Sequence, residues 1–533
     1  MSVENDEEFN LDTILRKLDT HGKNGFKMKP FAIFLFEPPV AQQFERLNRE
    51  YRSKQGNVAY DRRKLYFAMS YGINYDVDCD LAKMADLCRT DKILGDVLGE
   101  DFTPVGQTFN NFLANSNRQV MKTISLCSVM DMNDLELLDF TRIYTDSTDA
   151  LINGSIHYKI SRKEVEYFKL MNEWNLLHNG SVKKMKRNHK LLMEKQEEYA
   201  DNEEICESID EISKKFSLYD KIILNRLDRI EEFLDDNPDS EVCIMFPEAA
   251  YIKTKRGKWE FALLVQNTMM RNGIILNTLA QSESNDSNAL EEIIEDLRET
   301  FNILLDLQVM YGEKQNYKEI YDALNTALHI LDSGYFTDNN LEVVQLFGLN
   351  VLIMPRGIAR YNNDKLKNKI IEGDIEKIIE KYDAITMYRM KSVFDGFECP
   401  YNQRTKKGEP IMTNSKFNRE RSHLDDVCKE YRIPFHIDCP ADCPLKSICD
   451  KEDFEVKTTL LRFNMYNKFV QKRYREIYKE RLGANEQIQA FLKTQKGILK
   501  LPGSNKKAAQ NLLYIKQTSY NINRKEVLKG TAI

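Results

Sequence analysis

Residues 327–353 constrain the fold of this chain more than any other segment. An apolar run at residues 327–331 leads into Asp332, a helical pattern follows and ends near Gly348, and a second apolar run occupies residues 351–353. Strand, helix and strand in this order predict a βαβ unit with parallel strands. Asp332 then stands at the C-terminal end of a strand, where open α/β sheets bind their ligands, so it is a candidate functional residue.

Two further segments predict strands of the same sheet. Residues 137–145 form a short apolar and β-branched run that ends in Asp146. Residues 259–281 contain two β-rich runs around the turn Arg271-Asn272-Gly273, and Asn-Gly is typical of a hairpin. A helix is expected from Asn288 to about Leu307. Together with the βαβ unit, these elements predict an α/β fold with a mixed sheet.

Helical periodicity covers the two remaining long segments. Residues 10–130 have apolar residues at spacings of three and four, which fits a helix-turn-helix reader of DNA or a plain bundle, and periodicity does not choose between them. Residues 161–235 are charged and helix-periodic, which predicts a helical arm or hairpin.

Composition bounds the class of protein. The 533 residues exceed one typical core, so two or three domains are expected. Because no apolar run is long enough to span a membrane and the acidic N-terminus is unlike a secretion signal, we expect a cytoplasmic protein whose ten cysteines are free thiols or metal ligands. The net charge is −6, yet residues 460–533 carry sixteen Lys and Arg against four Glu. This excess of twelve positive charges indicates either a phosphate-binding surface or a solvated helical face.

The two strand-end aspartates suit the chemistry of phosphodiester cleavage and transfer. That chemistry uses two divalent cations about 4 Å apart, which hard carboxylate oxygens bind. Asp146 and Asp332 at the ends of neighbouring strands, together with an acid from a packed helix, would build such a site. Either residue could instead cap a turn or helix, which is the commoner role of an aspartate at a strand end.

Motifs over residues 56–524 resemble the bacterial insertion-sequence DDE transposases. The first acid of that family has an Asp-Gly-Thr-like context, to which residues 146–148 are similar, with Ser147 in place of Gly. The second acid lies in an Asp-x-Gly-Tyr context followed by Asn-Leu, which residues 332–335 and 340–341 match closely. The other similar segments are residues 56–61, 102–109, 247–249, 255–257, 265–266, 272–275, 285–287 and 520–524. The resemblance implies a ribonuclease H-like core.

For its third acid the family carries Tyr, Arg, Glu and Lys in that order on one helix. Tyr478, Arg481, Glu486 and Lys493 are similar, with one extra residue between the Arg and the Glu. The resemblance implies that Glu486 is the third metal ligand and that the other three contact DNA. Lys493 follows Glu486 by seven residues, or two helical turns, so the two would share a helix face.

Four other acids compete with these candidates. Glu480 and Glu476 lie on the same predicted helix, but neither has a lysine seven residues later, so they rank second and third. Asp149 is a neighbour of Asp146 that the motif does not favour. Asp286 occupies a loop before a helix, where capping is the expected role.

Cysteines mark a separate segment between the second and third acids. Cys399, Cys439, Cys443 and Cys449 provide four thiolates, which suffice for a tetrahedral Zn²⁺ that would hold together a loop-rich insertion. Similar insertions occur in some members of the transposase family. The alternatives are buried reduced thiols, or a site in which Cys428 or His436 substitutes as a ligand.

The resemblance sets the expected organisation and activity. It implies an N-terminal helical DNA-binding domain at residues 1–130 and a ribonuclease H-like catalytic domain at 137–533, with a helical insertion at 161–235 and a Cys-rich insertion at 395–452. Two Mg²⁺, for which Mn²⁺ could substitute, would be held by Asp146, Asp332 and Glu486. A nucleoid-associated homodimer would bind double-stranded terminal inverted repeats, cut the element ends and join the 3′-hydroxyls to target DNA. A DNA-binding descendant without catalysis, a purely hydrolytic nuclease of the same fold and a helical scaffold protein are the alternatives.

Overall fold

The structure of the chain is a computed structural model. The described residues are 9–50, 60–75, 80–130, 138–152, 159–162, 164–166, 169, 227–236, 241–253, 257–282, 286–311, 317–355, 461–462, 465, 468–469, 471–493, 499–502 and 505–530, together with short strands between 390 and 458. Within these residues, no helix is both long enough and apolar enough to cross a membrane.

Helices precede the first strand. They are α1 Leu11–Asp19, α2 Gly22–Phe36, α3 Pro38–Glu50, α4 Arg62–Asn74, α5 Leu81–Thr90, α6 Lys92–Leu98, α7 Gly106–Asn115 and α8 Arg118–Met130.

Strands and helices alternate in the following part of the chain. They are β1 Arg142–Ile152, β2 Lys159–Ile160, α9 Leu227–Asp236, β3 Val242–Cys243, β4 Ala250–Lys253, β5 Trp259–Met270, β6 Ile275–Gln281, α10 Leu290–Met310, α11 Tyr317–Thr326, β7 Leu328–Leu331, α12 Asp338–Leu346 and β8 Val351–Ile353. Short 3₁₀ helices occupy Asp286–Asn288 and Ser333–Tyr335.

The C-terminal part adds small strands and two long helices. The elements are β9 Met390–Ser392, β10 Gly396–Glu398, β11 Met412–Thr413, β12 Lys416–Phe417, β13 His423–Asp425, β14 Glu430–His436, β15 Asp453–Thr458, α13 Lys472–Leu492, β16 Leu499–Leu501 and α14 Lys506–Leu528.

A seven-stranded mixed sheet organises the centre of the molecule. Its order is β4-β5-β1-β7-β8, with β6 also paired to β5 and β16 to β1. Strand β5 runs antiparallel to β1 and β6, whereas β7 runs parallel to β1 and β8 parallel to β7. The predicted α/β class with a mixed sheet is therefore confirmed, as are the βαβ unit (β7, α12, β8) and the hairpin between β5 and β6. Gly273 closes that hairpin with φ 85°, a conformation that glycine adopts without strain.

The prediction that Asp146 ends its strand is wrong. Strand β1 continues to Ile152, because residues after Asp146 still pair with β5 and residues 150–152 also pair with β16. The aspartate therefore lies in the middle of a long strand, paired with β5 on one side, while β7 on the other side ends opposite the preceding residue, Thr145. A run of apolar residues does not reveal this extension, since the second half of β1 contains Ser147, Thr148 and Asp149.

The N-terminal helices and the sheet share one hydrophobic core. Buried residues of α1–α8 pack in a single cluster with apolar residues of β1, β5, β6 and α14. Tyr66 on α4 donates a hydrogen bond of 2.8 Å to Thr518 on α14. Helix α14 also lies along β6, where Gln517 donates to the carbonyls of Ile275 and Leu276. These contacts fix the N-terminal helices against the face of the sheet that also carries α14.

Two predicted insertions fall largely outside the described residues. Of the helical arm at 161–235, the structure describes α9 and a few residues near its start. Cys399, Cys428, Cys439, Cys443 and Cys449 also lie outside the described residues. His436 ends β14, and its side chain is not described. The predicted zinc site therefore stays a prediction.

Candidate active site

Asp146 and Asp332 come together through the pairing of β1 with β7. These strands run parallel, and Thr145 is the register partner of Leu331. The next residue on each chain is an aspartate, Asp146 within β1 and Asp332 directly after β7. The two candidate acids therefore come to adjacent positions, although only Asp332 stands at the end of its strand.

Asp332 begins a short 3₁₀ turn. Its Oδ1 accepts a hydrogen bond of 2.5 Å from the backbone N–H of Gly334, so the capping role weighed as an alternative is present. Capping uses one carboxylate oxygen, and it fixes the direction of the side chain at the strand end. A cap and a metal ligand are compatible roles for the same carboxylate, since it has about four lone-pair sites.

Helix α13 covers Asp146 on one face of the sheet. Arg481 donates from Nη1 to Asp146 Oδ1 at 3.0 Å, and Gln489 donates from Nε2 to Asp146 Oδ2 at 2.8 Å. The Arg481 side chain is only 10% exposed and that of Asp146 17%, so this charged pair is shielded from solvent. Sequence motifs had singled out Arg481 as a phosphate contact, whereas here its guanidinium neutralises a candidate metal ligand. Gln489 was missed, although its position eleven residues after Tyr478, about three helical turns, indicates a shared face.

The side chain of Tyr478, on the same helix, is enclosed by its neighbours. It is 7% exposed, its ring meets Phe469 edge-on at 5.2 Å, and the Arg481 guanidinium lies 5.4 Å from its ring centroid. Burial raises the pKa of Tyr478 to about 12, against the lowering effect of Arg481. The ring supports the guanidinium by a cation–π contact, so in this structure it packs against protein.

Glu486 and Lys493 do not join the two aspartates in this structure. The Glu486 side chain is exposed on α13. Helix α13 ends at Leu492, and Lys493 is its extended C-cap, so this lysine stands at the end of the helix that carries Glu486. Its Nζ donates instead to Gln489 Oε1 at 2.5 Å, and so reaches the acid site through that amide.

Glu480, which ranked second among the candidates for the third acid, has a structural role. Its carboxylate pairs with Arg142 at the start of β1, with Arg271 in the hairpin turn at 3.4 Å and with the hydroxyl of Tyr144 at 3.3 Å. These contacts hold α13 against the sheet near the start of β1. Glu476, the third-ranked acid, is exposed.

Asp286 is a carboxylate of this region that the sequence did not select. Its oxygens accept hydrogen bonds from Ser147 Oγ at 2.9 Å and Gln266 Nε2 at 3.1 Å, rather than capping the helix that it begins. A Cβ added at Gly334 would lie 2.8 Å from Asp286 Oδ2 and 2.9 Å from Asp332 Oδ1, so a larger residue there would displace one of these carboxylates. Asp286 reaches the site through the conformation of its loop, and sequence periodicity does not predict loop conformation.

Asn340 holds that loop in place. Its buried side chain donates to the carbonyl oxygens of Asp286 at 2.9 Å and Tyr335 at 3.1 Å. Tyr335 is fully buried and donates its hydroxyl to Gln266. The motif Asp-Ser-Gly-Tyr with a later Asn therefore has a physical explanation, because Asn340 ties the turn after Asp332 to the loop of Asp286.

Burial raises the pKa of Asp286, and the charges of Asp332 and Asp146 raise it further against the hydrogen bonds from Gln266 and Ser147. The folded state then binds the proton more tightly than the unfolded state. The free energy of unfolding is therefore expected to fall as pH rises from the ordinary aspartate pKa through the raised value. Asp286→Asn should be more stable than wild type at pH 7 in EDTA, with the difference vanishing at pH 3. Urea unfolding at several pH values measures this, and equal stability at pH 7 would contradict it.

No protein-family model, curated protein or solved structure matches this chain. Any function assigned to it therefore rests on its own residues and their geometry.

Asn267 is a third residue that the sequence did not reveal. It lies on β5 as the direct register partner of Asp146, and it is 1% exposed. Neither its amide nitrogen nor its amide oxygen has a hydrogen-bond partner in the described part of the chain. Buried amides are nearly always hydrogen-bonded, so this side chain stands out beside the acids.

The donor set at Asp146 suits a hard cation. Within the described ranges, no three His, Cys, Asp or Glu side chains form a group that could hold a metal ion. Asp146 and Asp332 are nevertheless both oxygen donors, the type that Mg²⁺ and Mn²⁺ prefer. Both oxygens of Asp146 accept hydrogen bonds, from Arg481 and Gln489, so a cation held by this carboxylate would replace these contacts.

Proposed function

We propose that this chain is a DDE-type DNA transposase that cuts element ends and joins them to target DNA. The observation that carries the proposal is the placement of Asp146 and Asp332 at adjacent register positions of parallel strands, beneath the helix that bears Tyr478 and Arg481. Both aspartates stand in motifs that resemble those of the bacterial insertion-sequence transposases. The register of β1 with β7 and the sequence motifs are independent observations, and both concern Asp146 and Asp332.

The arrangement of strands supports the ribonuclease H-like core that the resemblance implies. An antiparallel pair, β5 and β6, flanks one side of β1, and two parallel strands reached through helices, β7 and β8, flank the other. The candidate acids lie on the central strand and at the end of its parallel neighbour. Helix α13, which follows the sheet in sequence, packs over them.

Within this proposal each side chain of the site has its own role. Bound divalent cations would supply the Lewis acidity for in-line attack of a water or a 3′-hydroxyl on a phosphodiester. Asp146 and Asp332 would hold them, with Glu486 as the third carboxylate of the motif. Arg481 lies 3.0 Å from Asp146 and balances its charge, and its guanidinium would contact a phosphate when a cation holds that carboxylate.

The surface of α13 suits a DNA partner. Arg473, Arg475 and Lys479 are exposed on this helix, a few turns from the acids. Cations on one helix neutralise phosphates and make affinity strongly salt-dependent. We propose that they bind double-stranded terminal inverted repeats next to the site, in a homodimer that brings two ends together.

Cleavage of a labelled duplex that carries the flanking inverted repeat tests the proposal. Wild type with Mg²⁺ should give cut and joined products, and EDTA should remove both. Glu486→Gln should lose them, whereas Glu480→Gln, the matched control, should retain them because its exposed ion pairs contribute at most about 1 kcal/mol to stability. Cut DNA without joined product would indicate the hydrolytic nuclease instead.

One observation favours a second candidate, a DNA-binding descendant without catalysis. Without the extra residue, the family spacing places the third acid at position 485, which is Asn. Position 485 lies four residues from both Arg481 and Gln489 along α13, whereas Glu486 is exposed. Tight binding without any product from wild type would support this candidate, and Asn485→Glu should then produce metal-dependent cleavage.

A further inference from the structure

We infer that β4 and the start of β5 form a binding surface for single-stranded DNA, on which a base stacks against Trp259. The surface consists of Tyr251, Lys253 and Trp259, together with Lys159 of β2. The inference rests on the proposed function for the choice of DNA, and it deepens that function by adding a strand contact outside the acid site. Three observations carry it, namely an exposed aromatic stack, the cations around this stack and its distance from the acids.

Strand pairing places the aromatic side chains on one face. Strands β4 and β5 are antiparallel, with Tyr251 opposite Phe261 and Lys253 opposite Trp259. Residues two apart on a strand point to the same face, as do direct cross-strand partners, so these four side chains share a face. The rings of Tyr251 and Trp259 stack with centroids 5.3 Å apart and planes inclined by 24°. Phe261, which is 1% exposed, contacts the Tyr251 ring at 5.0 Å and connects the stack to the core.

Trp259 is the exposed end of this stack. Its side chain is 54% exposed, although one side of the indole is covered by Tyr251. A nucleic-acid base has a flat π face that can cover the rest of the indole. Such stacking tolerates any base, because every base has a π face.

Lysines next to the stack favour a polyanionic partner. The Lys159 ammonium lies 3.9 Å from the centre of the Tyr251 ring, and it also pairs with Glu241. Lys253 is exposed beside Trp259. In the sequence, residues 253–258 contain four Lys or Arg and no Asp or Glu. A single strand of DNA carries phosphates for the cations and bases for the indole in the same molecule, so it matches both features.

The distance to the acid site suits one continuous DNA strand. Trp259 precedes Asn267 by eight residues on β5, and Asn267 is the register partner of Asp146. A strand rises about 3.3 Å per residue, so roughly 26 Å separate the two positions. Phosphates spaced about 3.4 Å apart cover that length in about eight nucleotides. DNA with a phosphodiester at the candidate acids can therefore also contact Trp259.

Tryptophan fluorescence of the full chain tests the stacking. The chain has two tryptophans, so Trp174→Phe leaves Trp259 as the only one. An oligothymidylate of about 20 nucleotides, which contains no inverted-repeat sequence, should quench this fluorescence when a base stacks on the indole. Added salt should reverse the quenching, because it weakens the phosphate contacts.

Anisotropy of a labelled oligothymidylate measures affinity in otherwise wild-type protein. Trp259→Ala should weaken binding on the order of 10-fold, and Trp259→Phe should restore most of the affinity because it keeps an aromatic face. Tyr321→Ala is the matched control, since Tyr321 is an exposed aromatic residue of α11, and it should bind like wild type. Lys253→Gln should weaken binding and lower the salt slope by about 1.

The outcomes separate this inference from the proposed function. If Trp259→Ala and Lys253→Gln bind the oligothymidylate as wild type does, the surface is no DNA site, and metal-dependent cleavage of the inverted-repeat duplex would still support the transposase. If the wild type does not cut that duplex but Trp259 is quenched and Trp259→Ala loses affinity, the proposed function fails and the DNA-binding surface stands. Quenching by phosphatidylserine vesicles and not by the oligothymidylate would overturn the inference in favour of a lipid surface.

Discussion

Asp332→Asn is expected to abolish cleavage of the inverted-repeat duplex and to leave DNA affinity nearly unchanged. The asparagine keeps an Oδ1 acceptor for the N–H of Gly334, so the turn after β7 should form as in wild type. The variant loses one negative charge beside Asp146, and with it a metal ligand. The rate of cleavage should fall by on the order of 10²–10³-fold or more, as when one stabilising group is removed from an active site.

Two measurements separate catalysis from binding in this experiment. Cleavage is followed with Mg²⁺, and affinity is followed by fluorescence anisotropy over a series of salt concentrations, whose slope reports the number of phosphate contacts. Asp338→Asn is the control, because Asp338 lies six residues later, is exposed and pairs with Arg462 at 2.6 Å. It should cut like wild type. An Asp332→Asn protein that still cuts would remove Asp332 from the site.

Asp296→Ala is expected to lower the free energy of unfolding by about 3–5 kcal/mol, the loss typical of a buried ion pair that is broken on one side. Asp296 on α10 is 7% exposed and accepts from Arg118 at 2.9 Å, from Lys122 at 3.0 Å and from Asn277 at 2.6 Å. The Lys122 side chain is only 2% exposed, and in the alanine variant its buried ammonium keeps only Glu299 at 2.8 Å, a carboxylate that is 42% exposed. These contacts join α8 and β6 to α10.

Urea unfolding measures the effect, and a double variant checks its cause. Lys122→Met in the Asp296→Ala background should recover part of the loss, because it removes the buried ammonium that has lost one of its two carboxylates. Glu50→Ala breaks the exposed pair with Arg46 at 3.4 Å and should change stability by less than about 1 kcal/mol. A loss no larger than this control in Asp296→Ala would show that the N-terminal helices do not depend on this network.

Local sequence patterns predicted the parts of the site that belong to single elements. The apolar run before Asp332 and the helix after it give the βαβ unit, and Asn272-Gly273 gives the hairpin. Each signal depends on the period of one element or the backbone preference of one turn, which neighbouring residues alone set. The alternative role of Asp332 as a cap could be read from the same residues, and the structure contains it.

Other parts of the site depend on residues far apart in the chain. Asp286 meets Ser147 across 139 positions, and Gln489 meets Asp146 across 343. Asn267 faces Asp146 because β5 pairs with β1 in one register, and a shift by one residue would turn its side chain to the opposite face. Helical periodicity indicates which residues of a helix share a face, but it does not indicate which residues that face packs against.

The sequence by itself therefore determined the α/β class and the strand that leads to Asp332, and its motifs singled out two aspartates as candidates. Only the tertiary structure decided that β1 continues past Asp146, that Glu486 is exposed while Gln489 and Arg481 contact Asp146, and that the N-terminal helices share a core with the sheet. The physical reason is the range of the interactions. Backbone preferences act over a few residues, whereas register, helix packing and burial of charge are set by contacts between distant segments.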